Sequence, residues 1–302
     1  MLKENKYYSY NQGQLPKGCQ YCVKGEKLVL FVTGICPRQC KFCPVSDNKY
    51  QKDVQFANER KVEDVNDLIK EAELMDAKGA GITGGDPLTK LDRTCEYILK
   101  LKEKFGKEFH IHLYTSLNLV FLDVLKRLFN AGLDEIRFHL DLDDKKLWDK
   151  LSLAKKYSWH VGVEVPLIIG REMMLKEMID FIVGKYDNIV KVDFLNLNEL
   201  EIADNEHYSQ PGEVKDDLSY AITGSVELGL KLLDYVKEKG YELNIHLCTA
   251  KLKDAIQLSE RIKRESEGMK KKFDLVDEEG MLLRGALYLE ELMPGFSYRE
   301  RL

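Results

Sequence analysis

The chain has 302 residues, 44% of them apolar and 32% charged, and a formal net charge of −5. This length and composition are those of a globular protein that buries a large core. No apolar run is long enough for a membrane span, and the N-terminus has no apolar core of a secretion signal, so we expect a cytoplasmic protein. The negative charge disfavours bulk electrostatic attraction to nucleic acid.

Short β-rich runs alternate with amphipathic helical stretches, which is typical of a parallel sheet built from βα units. We count six or seven such units, followed by a different tail. The residues predicted as strands are 27–33, 79–83, 109–114, 135–140, 160–165, 190–195 and 242–247. Gly132 predicts the end of a helix over 122–130. Residues 198–222 are predicted as an irregular insertion, and 250–272 as one charged helix.

The last predicted element is a β-hairpin over residues 273–283 that turns at Glu279-Gly280. No flexible linker interrupts the chain, so the tail is an appendage to one domain. We therefore expect an N-terminal extension over 1–26, a barrel over 27–250, and a C-terminal helix plus hairpin over 251–302.

Three cysteines, Cys36, Cys40 and Cys43, form a C-x3-C-x2-C pattern directly after the first long strand. Three thiolates in one short loop can ligate three corners of a cubane iron–sulfur cluster. The fourth iron then has no protein ligand, and an open metal position is typical of a catalytic site. The seven cysteines, an odd number, favour a reducing compartment over a disulfide framework.

Two other interpretations of the three cysteines remain open. A structural zinc site needs four closed ligands, and no neighbouring His or Cys completes a set here. Ordinary buried cysteines are the other alternative. Against it, the loop also carries Pro37, Arg38, Gln39 and Lys41, which make it too polar for a core segment.

A second motif, Thr83-Gly84-Gly85-Asp86-Pro87, ends the next predicted strand. Two glycines permit close approach of the backbone to a ligand, and Asp86 offers an acceptor for an ammonium group. Alone, such a run is a common turn. One βα unit after a cluster loop, it predicts a cofactor site.

These motifs resemble those of the radical S-adenosylmethionine (radical SAM) superfamily, and in particular an archaeal family described as related to the pyruvate formate-lyase activating enzyme. The superfamily usually has Glu where this chain has Asp86. The resemblance extends over most of the chain, at residues 19–22, 29–46, 53–54, 57–59, 82–88, 109–115, 131–139 and 246–258.

The resemblance implies an α/β fold, a partial (β/α)6-type TIM barrel of the radical SAM type. It implies a [4Fe-4S] cluster on the three cysteines, and SAM bound by Gly84, Gly85 and Asp86. The backbone of Phe42 would meet the adenine, and Thr115 and Ser116 would contact the ribose. A ferredoxin or flavodoxin would supply the electron that cleaves SAM to a 5′-deoxyadenosyl radical.

Two further residues are candidates for catalysis. His139 lies near the end of the predicted strand 135–140, where barrel enzymes carry their chemistry, although a single histidine there can equally be a satisfied core group. Cys248 could donate a hydrogen atom to a substrate radical. The resemblance does not identify the substrate, which could be a small molecule, an RNA or a peptide.

A second metal or iron–sulfur centre is a further hypothesis, with Cys19, Cys22, His246 and Cys248 as its ligands. The Cys-x-x-Cys pair could equally be a redox pair. Geometry argues against the four-ligand set, because Cys22 precedes its strand and Cys248 ends one, which separates them by about 16 Å.

Three other functions stay open. The chain could be an activase that makes a glycyl radical on a partner protein. It could instead be a non-catalytic iron–sulfur or zinc-binding protein. RNA binding through the 250–272 helix and its Lys270–Lys272 run is the third.

Overall fold

A ten-stranded sheet forms the centre of the protein, whose computed structural model describes residues 3–186, 190–210, 212–216 and 219–287. The strands of this sheet are β1 (Tyr10–Gln12), β2 (Lys27–Phe31), β3 (Phe56–Ala57), β4 (Arg60–Lys61), β5 (Gly79–Thr83), β6 (His110–Ser116), β7 (Glu135–His139), β8 (His160–Pro166), β9 (Phe194–Asn198) and β10 (Asn244–Cys248). A separate two-stranded sheet contains β11 (Asp274–Val276) and β12 (Leu282–Arg284). The α-helices are α1 (Lys17–Cys22), α2 (Val65–Leu74), α3 (Leu91–Phe105), α4 (Leu122–Ala131), α5 (Leu151–Ala154), α6 (Glu172–Ile182), α7 (Ser225–Glu238), α8 (Ala250–Leu252) and α9 (Ser259–Met269).

Seven strands of the sheet are parallel and lie side by side in the order β10-β9-β8-β7-β6-β5-β2. Neighbouring strands therefore end at the same edge, as the pairs Phe31↔Thr83 and Ser116↔His139 illustrate. In the described residues β2 and β10 do not pair with each other, so the barrel is not closed. The predicted partial α/β barrel is confirmed.

The N-terminal segment completes one side of this partial barrel. β1 runs antiparallel to β10, with Tyr10 opposite Leu247. α1 then packs against side chains inside the barrel, where the Gly18 backbone N–H donates to Glu135 Oε2 (3.2 Å). A Cβ on Gly18 would lie within 3 Å of the side chains of Arg137, His112 and Glu135, so the helix fits only because this residue is glycine.

One strand lies four residues later than its sequence pattern predicts. The apolar run 190–195 predicts a strand, but β9 begins at Phe194. The Val192 N–H donates instead to the Ile182 carbonyl, which connects this segment to the end of α6. As a consequence, Asn196 and Asn198 belong to the strand itself and reach the barrel interior and mouth.

The tail follows the prediction in outline. Helical structure begins at Ala250, contains a π-helical stretch over Lys253–Leu258, and ends at Met269 rather than at residue 272. β11 and β12 form the predicted hairpin, with Val276 opposite Leu282. Residues 288–302 lie outside the described residues, and the division into three parts stays a prediction.

Each helix in the described part of the chain is too short or too polar to cross a bilayer.

Buried histidines make the stability of this fold sensitive to acid. Burial lowers the pKa of His246 and of His139 to about 4 and that of His110 to about 2, and it holds the pKa of His112 well below its usual value. The unfolded chain therefore binds more protons than the folded one below about pH 6.5. Stability is fully present above that pH and falls as the pH drops toward 4.

We expect His246→Gln to weaken this pH dependence. Between pH 6.5 and 4.5 the wild type should lose about 2 to 3 kcal/mol of unfolding free energy through this one histidine, because a one-unit pKa difference is about 1.4 kcal/mol. Urea denaturation at the two pH values measures the loss. His160→Gln is the control, since His160 is exposed. Equal losses in wild type and His246→Gln would contradict the prediction.

Candidate active site

A cavity of about 670 Å³ opens at the edge where the parallel strands end. Four segments surround it: the cysteine loop with its aromatic residue, the Gly-Gly-Asp turn, the end of β6 and the end of β7. The predicted residues that line it are Cys36, Cys40, Cys43, Phe42, Gly84, Gly85, Asp86, Thr115, Ser116 and His139. The structure therefore brings ten predicted residues around one space.

The cysteine loop is half-buried along one wall of this cavity. Gln51 fixes its start, because the Gln51 Nε2 donates to the Cys36 carbonyl (2.9 Å). Burial raises the pKa of Cys36 to about 11 and raises the pKa of Cys40 and Cys43 as well. The free thiols are therefore protonated at neutral pH and would release protons on binding a metal.

No group of three or more His, Cys, Asp or Glu side chains in the described residues has the geometry to hold a single metal ion. A single metal ion on Cys36, Cys40 and Cys43 would need their three sulfur atoms to converge on one point. The three ligands of a cubane, in contrast, each bind a different iron and need not converge on one point. Three thiols that line one cavity fit the three protein ligands of such a cluster.

The Gly-Gly turn packs directly against the start of the cysteine loop. The Gly85 N–H donates to the Thr33 carbonyl (2.7 Å), and the Asp86 N–H donates to the Ile35 carbonyl (2.9 Å). A Cβ on Gly85 would lie 2.5 Å from the Ile35 carbonyl oxygen and 2.6 Å from that of Gly34. Glycine is therefore required here for two backbone segments to meet.

Asp86 holds the ends of two strands together. Its Oδ1 accepts hydrogen bonds from the Thr115 hydroxyl (2.8 Å) and the Leu88 N–H (3.1 Å). Its Oδ2 accepts from the Ser116 hydroxyl (2.7 Å) and N–H (3.2 Å). The side chain is 1% exposed, and burial raises its pKa although these hydrogen bonds favour the charged form.

These contacts use the acceptor sites of Asp86 and the donor of each hydroxyl, whereas each hydroxyl oxygen can still accept a hydrogen bond. The ligand contacts of the three residues stay predictions. We expected Asp86 to accept from an ammonium group, and Thr115 and Ser116 to contact a ribose. Asp86 already accepts four hydrogen bonds, and both hydroxyls donate to it. A carboxylate one methylene shorter than glutamate reaches its neighbours on β6 and orders the turn beside the cavity.

We expect Asp86→Asn to destabilise the protein by about 1 to 3 kcal/mol. An asparagine has one acceptor oxygen in place of two, so at least one buried donor from Thr115, Ser116 or Leu88 loses its partner. Urea unfolding of the metal-free protein measures the loss. Asp123→Asn, an exposed position at the start of α4, should have almost no effect; a similar loss in both variants would refute the proposed role of Asp86.

A charged cluster centred on Arg137, a residue that the sequence analysis missed, forms the floor of the cavity. Arg137 is 2% exposed and binds Glu135 (Nε–Oε1 2.6 Å), Glu164 (Nη1–Oε2 2.9 Å) and the Tyr114 hydroxyl (3.1 Å). Asn198 Nδ2 donates to Glu164 Oε1 (2.9 Å). The alternation of Glu135, Arg137 and His139 with apolar residues along β7 was the available signal.

His139 lies at the cavity mouth and packs against Phe42, with ring centroids 5.5 Å apart. Arg38 braces this position, since its Nη1 donates to the His139 carbonyl (3.3 Å) and its Nη2 pairs with Asp141 (2.9 Å). A second cavity of about 430 Å³ adjoins the first there. Both cavities are lined by Arg38, Cys40, Phe42, His139 and Pro166.

The residues predicted for a second centre have other partners. The Cys19 thiol accepts from Asn196 Nδ2 (3.3 Å), and Cys248 packs in an apolar cluster with Val23 and Leu252. Val23 directly follows α1, so the chain does bring this helix near the end of β10. His246 Nε2 contacts the Ser9 hydroxyl (3.3 Å).

These four groups do not form a metal site in the described residues. Burial raises the pKa of Cys22 to about 12 and raises the pKa of Cys19 and Cys248, which favours inert thiols over thiolates. The second centre stays a prediction without geometric support.

The sequence of this chain matches the model of one protein family. The family model described as the radical SAM superfamily matches residues 30–188, just over half of the chain. The chain belongs to the radical SAM superfamily. Membership implies an iron–sulfur cluster and SAM as the cofactors of this radical SAM enzyme, and the three cysteines and the Gly-Gly turn lie inside the matched region.

Two curated proteins and two solved structures illustrate the relationship. A Methanocaldococcus jannaschii protein, provisionally named as a glycyl-radical enzyme activating enzyme, is 42% identical over 297 residues, 94% of this chain and 76% of that protein. Biotin synthase of Pseudoalteromonas translucida is 33% identical over 119 residues, 38% of this chain and 32% of that protein.

The structure is similar to that of Streptococcus suis SuiB bound to S-adenosylmethionine (TM-score 0.55, 15% identity) and of SuiB bound to the precursor peptide SuiA (TM-score 0.53, 16% identity). Each match covers 74% of this radical SAM enzyme. The chain spans about half of the SuiB chains, 50% and 48%. At this identity the likeness supports the fold alone.

Proposed function

We propose that this radical SAM enzyme binds one [4Fe-4S] cluster through Cys36, Cys40 and Cys43, binds SAM beside it, and abstracts hydrogen from a substrate in the same cavity. One observation carries the proposal. Three thiols and a glycine turn in backbone contact with their loop line a single cavity where the parallel strands end.

The bound cofactors supply the chemistry, an electron passed to SAM that yields methionine and a 5′-deoxyadenosyl radical. The protein contributes position and exclusion of water. Gly84 and Gly85 leave room for a ligand close to the backbone, and Asp86 acts as a positioning residue for that turn. Phe42 packs with Ile168, Leu200 and Ile222 and gives the cavity an apolar wall.

Residues of the cavity floor and mouth are candidates for substrate contact. Tyr114, Glu164 and Asn198 line the cavity below the cysteine loop, and His139 lines its mouth. We assign His139 a contact with substrate or SAM, because it lines both cavities. Burial and the nearby Arg38 lower its pKa to about 4, so the ring is neutral at physiological pH. Cys248 lies in an apolar cluster and is less suited to donate hydrogen.

The electron donor we propose is a ferredoxin or flavodoxin, in the cytoplasm. All seven cysteines are free, which fits a reducing compartment.

A second candidate function is activation of a partner protein by forming a glycyl radical. The name of the M. jannaschii relative favours it, and so does the joined pair of cavities. The second cavity continues the first toward the loops after β6, β7 and β8, which would admit a peptide segment. The interpretation with a small or enclosed substrate rests on the C-terminal tail and the 198–222 insertion as caps of the barrel; residues 205–210 of the insertion contact the cysteine loop.

The test is anaerobic reconstitution followed by reduction in the presence of SAM. We expect about four irons per chain and formation of 5′-deoxyadenosine. A protein that keeps no iron or leaves SAM intact would overturn the proposal. Adding candidate partner proteins and recording electron paramagnetic resonance spectra tests the activase function, because a glycyl radical signal on the partner would establish it and its absence with all candidates would favour another substrate.

A further inference from the structure

The insertion between β9 and α7 contacts the cysteine loop on its outer side. Its residues 205–210, here named the clamp, make hydrogen bonds to the loop at positions before, at and after the last cysteine. The loop itself contains turns and irregular structure over residues 36–52 and is not part of the sheet. External contacts therefore decide how firmly its thiols are held.

Asn205 makes the central contact of the clamp. Its Nδ2 donates to two loop carbonyls, those of Cys43 (3.1 Å) and Val45 (3.3 Å). Its Oδ1 accepts from the Tyr208 N–H (2.7 Å), which turns the clamp back on itself. One side chain thus has two separable roles, a donor toward the loop and an acceptor within the clamp.

Two more contacts flank Asn205. The backbone N–H groups of Ser209 and Gln210 both donate to the Lys41 carbonyl, at 2.8 and 3.1 Å. On the other side, the His207 ring stacks on Tyr50 with centroids 3.7 Å apart and planes 12° apart. The clamp therefore holds the loop from Lys41 to Tyr50, with the carbonyl of Cys43 between these ends.

We propose that Asn205 is a positioning residue for the iron–sulfur cluster, acting through the carbonyls of Cys43 and Val45 to keep the Cys43 thiol in place. This inference rests on the proposed function, since it requires a cluster on the loop. Groups that orient a metal ligand contribute on the order of 10- to 100-fold to metal retention. Without its two donors, the loop around Cys43 would open more often and expose the cluster to attack.

Three variants separate this role from general stability. Asn205→Ala removes both donors and the acceptor, whereas Asn205→Asp keeps an acceptor for the Tyr208 N–H and removes only the donors. Asp204→Asn is the matched control, because it makes the reverse change at the neighbouring exposed position. Each variant is reconstituted anaerobically as the full chain, and its iron content is determined.

The measurements are the rate of iron release to EDTA, the paramagnetic resonance spectrum of the reduced cluster, and the melting temperature of the metal-free protein. We expect both Asn205 variants to release iron on the order of 10-fold faster than wild type, with unchanged melting temperature and an altered spectrum. Asp204→Asn should behave as wild type.

Other outcomes refute the inference. Iron-release rates and spectra equal to those of wild type in both Asn205 variants would refute it. Fast iron release in Asn205→Asp alone would refute it as well, because that result would indicate charge repulsion by the new carboxylate. If these Asn205 variants do not fold, Asn205→Ser replaces them, since its single hydroxyl can donate to only one of the two carbonyls, and wild-type iron release there would overturn the inference. A wild-type chain that binds no iron would instead refute the proposed function.

Discussion

Replacing Cys40 by alanine is expected to abolish both iron retention and SAM cleavage. Cys40 lines the cavity between Cys36 and Cys43, and no other free thiol of the described residues lies there to take its place. A cubane on two protein ligands would dissociate, so iron should fall from about four per chain to almost none. We expect 5′-deoxyadenosine formation to fall by at least about 100-fold, since even groups behind a ligand contribute that much.

The control for this variant is Cys95→Ala. Cys95 is a free, buried cysteine on α3, so its replacement tests the loss of a thiol as such. We expect it to keep the broad visible absorption of the cluster and to cleave SAM. If Cys40→Ala retained wild-type iron and turnover, the assignment of the three cysteines would have to be abandoned.

Gly85→Ala is expected to have the second largest effect. The added methyl group would lie 2.5 Å from the Ile35 carbonyl oxygen, which no real contact of this kind tolerates, so the turn or the cysteine loop must move. Both segments are backbone and neither can rotate away. We expect a loss of about 1 to 3 kcal/mol of stability, as in other overpacked sites, and a loss of SAM affinity because the cavity wall shifts.

Gly285→Ala provides the matched comparison, since a Cβ there meets nothing within 4 Å. Urea unfolding of the metal-free proteins and calorimetric titration of the reconstituted proteins with SAM measure the two effects. Equal stability and equal SAM affinity in both variants would show that the contact between Gly85 and the loop is not required.

Local sequence signals predicted the parts of the site that lie in short motifs. The spacing of Cys36, Cys40 and Cys43 and the Gly84-Gly85 pair each occupy a few consecutive residues, and the order of the βα units sets them at the same edge of the sheet. The chain order of the parallel strands followed from the alternation of strands and helices. For these features no knowledge of distant contacts was needed.

Contacts between distant residues were not predictable in this way. The hydrogen bonds that Asp86 accepts from Thr115 and Ser116 were not predicted, because nothing in the turn itself indicates its neighbours on β6. Arg137 drew no attention because Tyr114 and Glu164 lie on two other strands. The clamp was predicted only as an irregular insertion. Asn205 and Cys43 are 162 residues apart, and no periodicity connects them.

The match to the superfamily begins at residue 30 and ends at residue 188, but the folded unit extends beyond both limits. β1 covers the outer edge of β10, and α1 occupies the barrel interior against Glu135. A gene fragment trimmed to begin at residue 30 would leave β10 with an unpaired backbone edge, a feature that promotes aggregation. Anyone who shortens this protein for crystallisation should therefore keep its first two dozen residues.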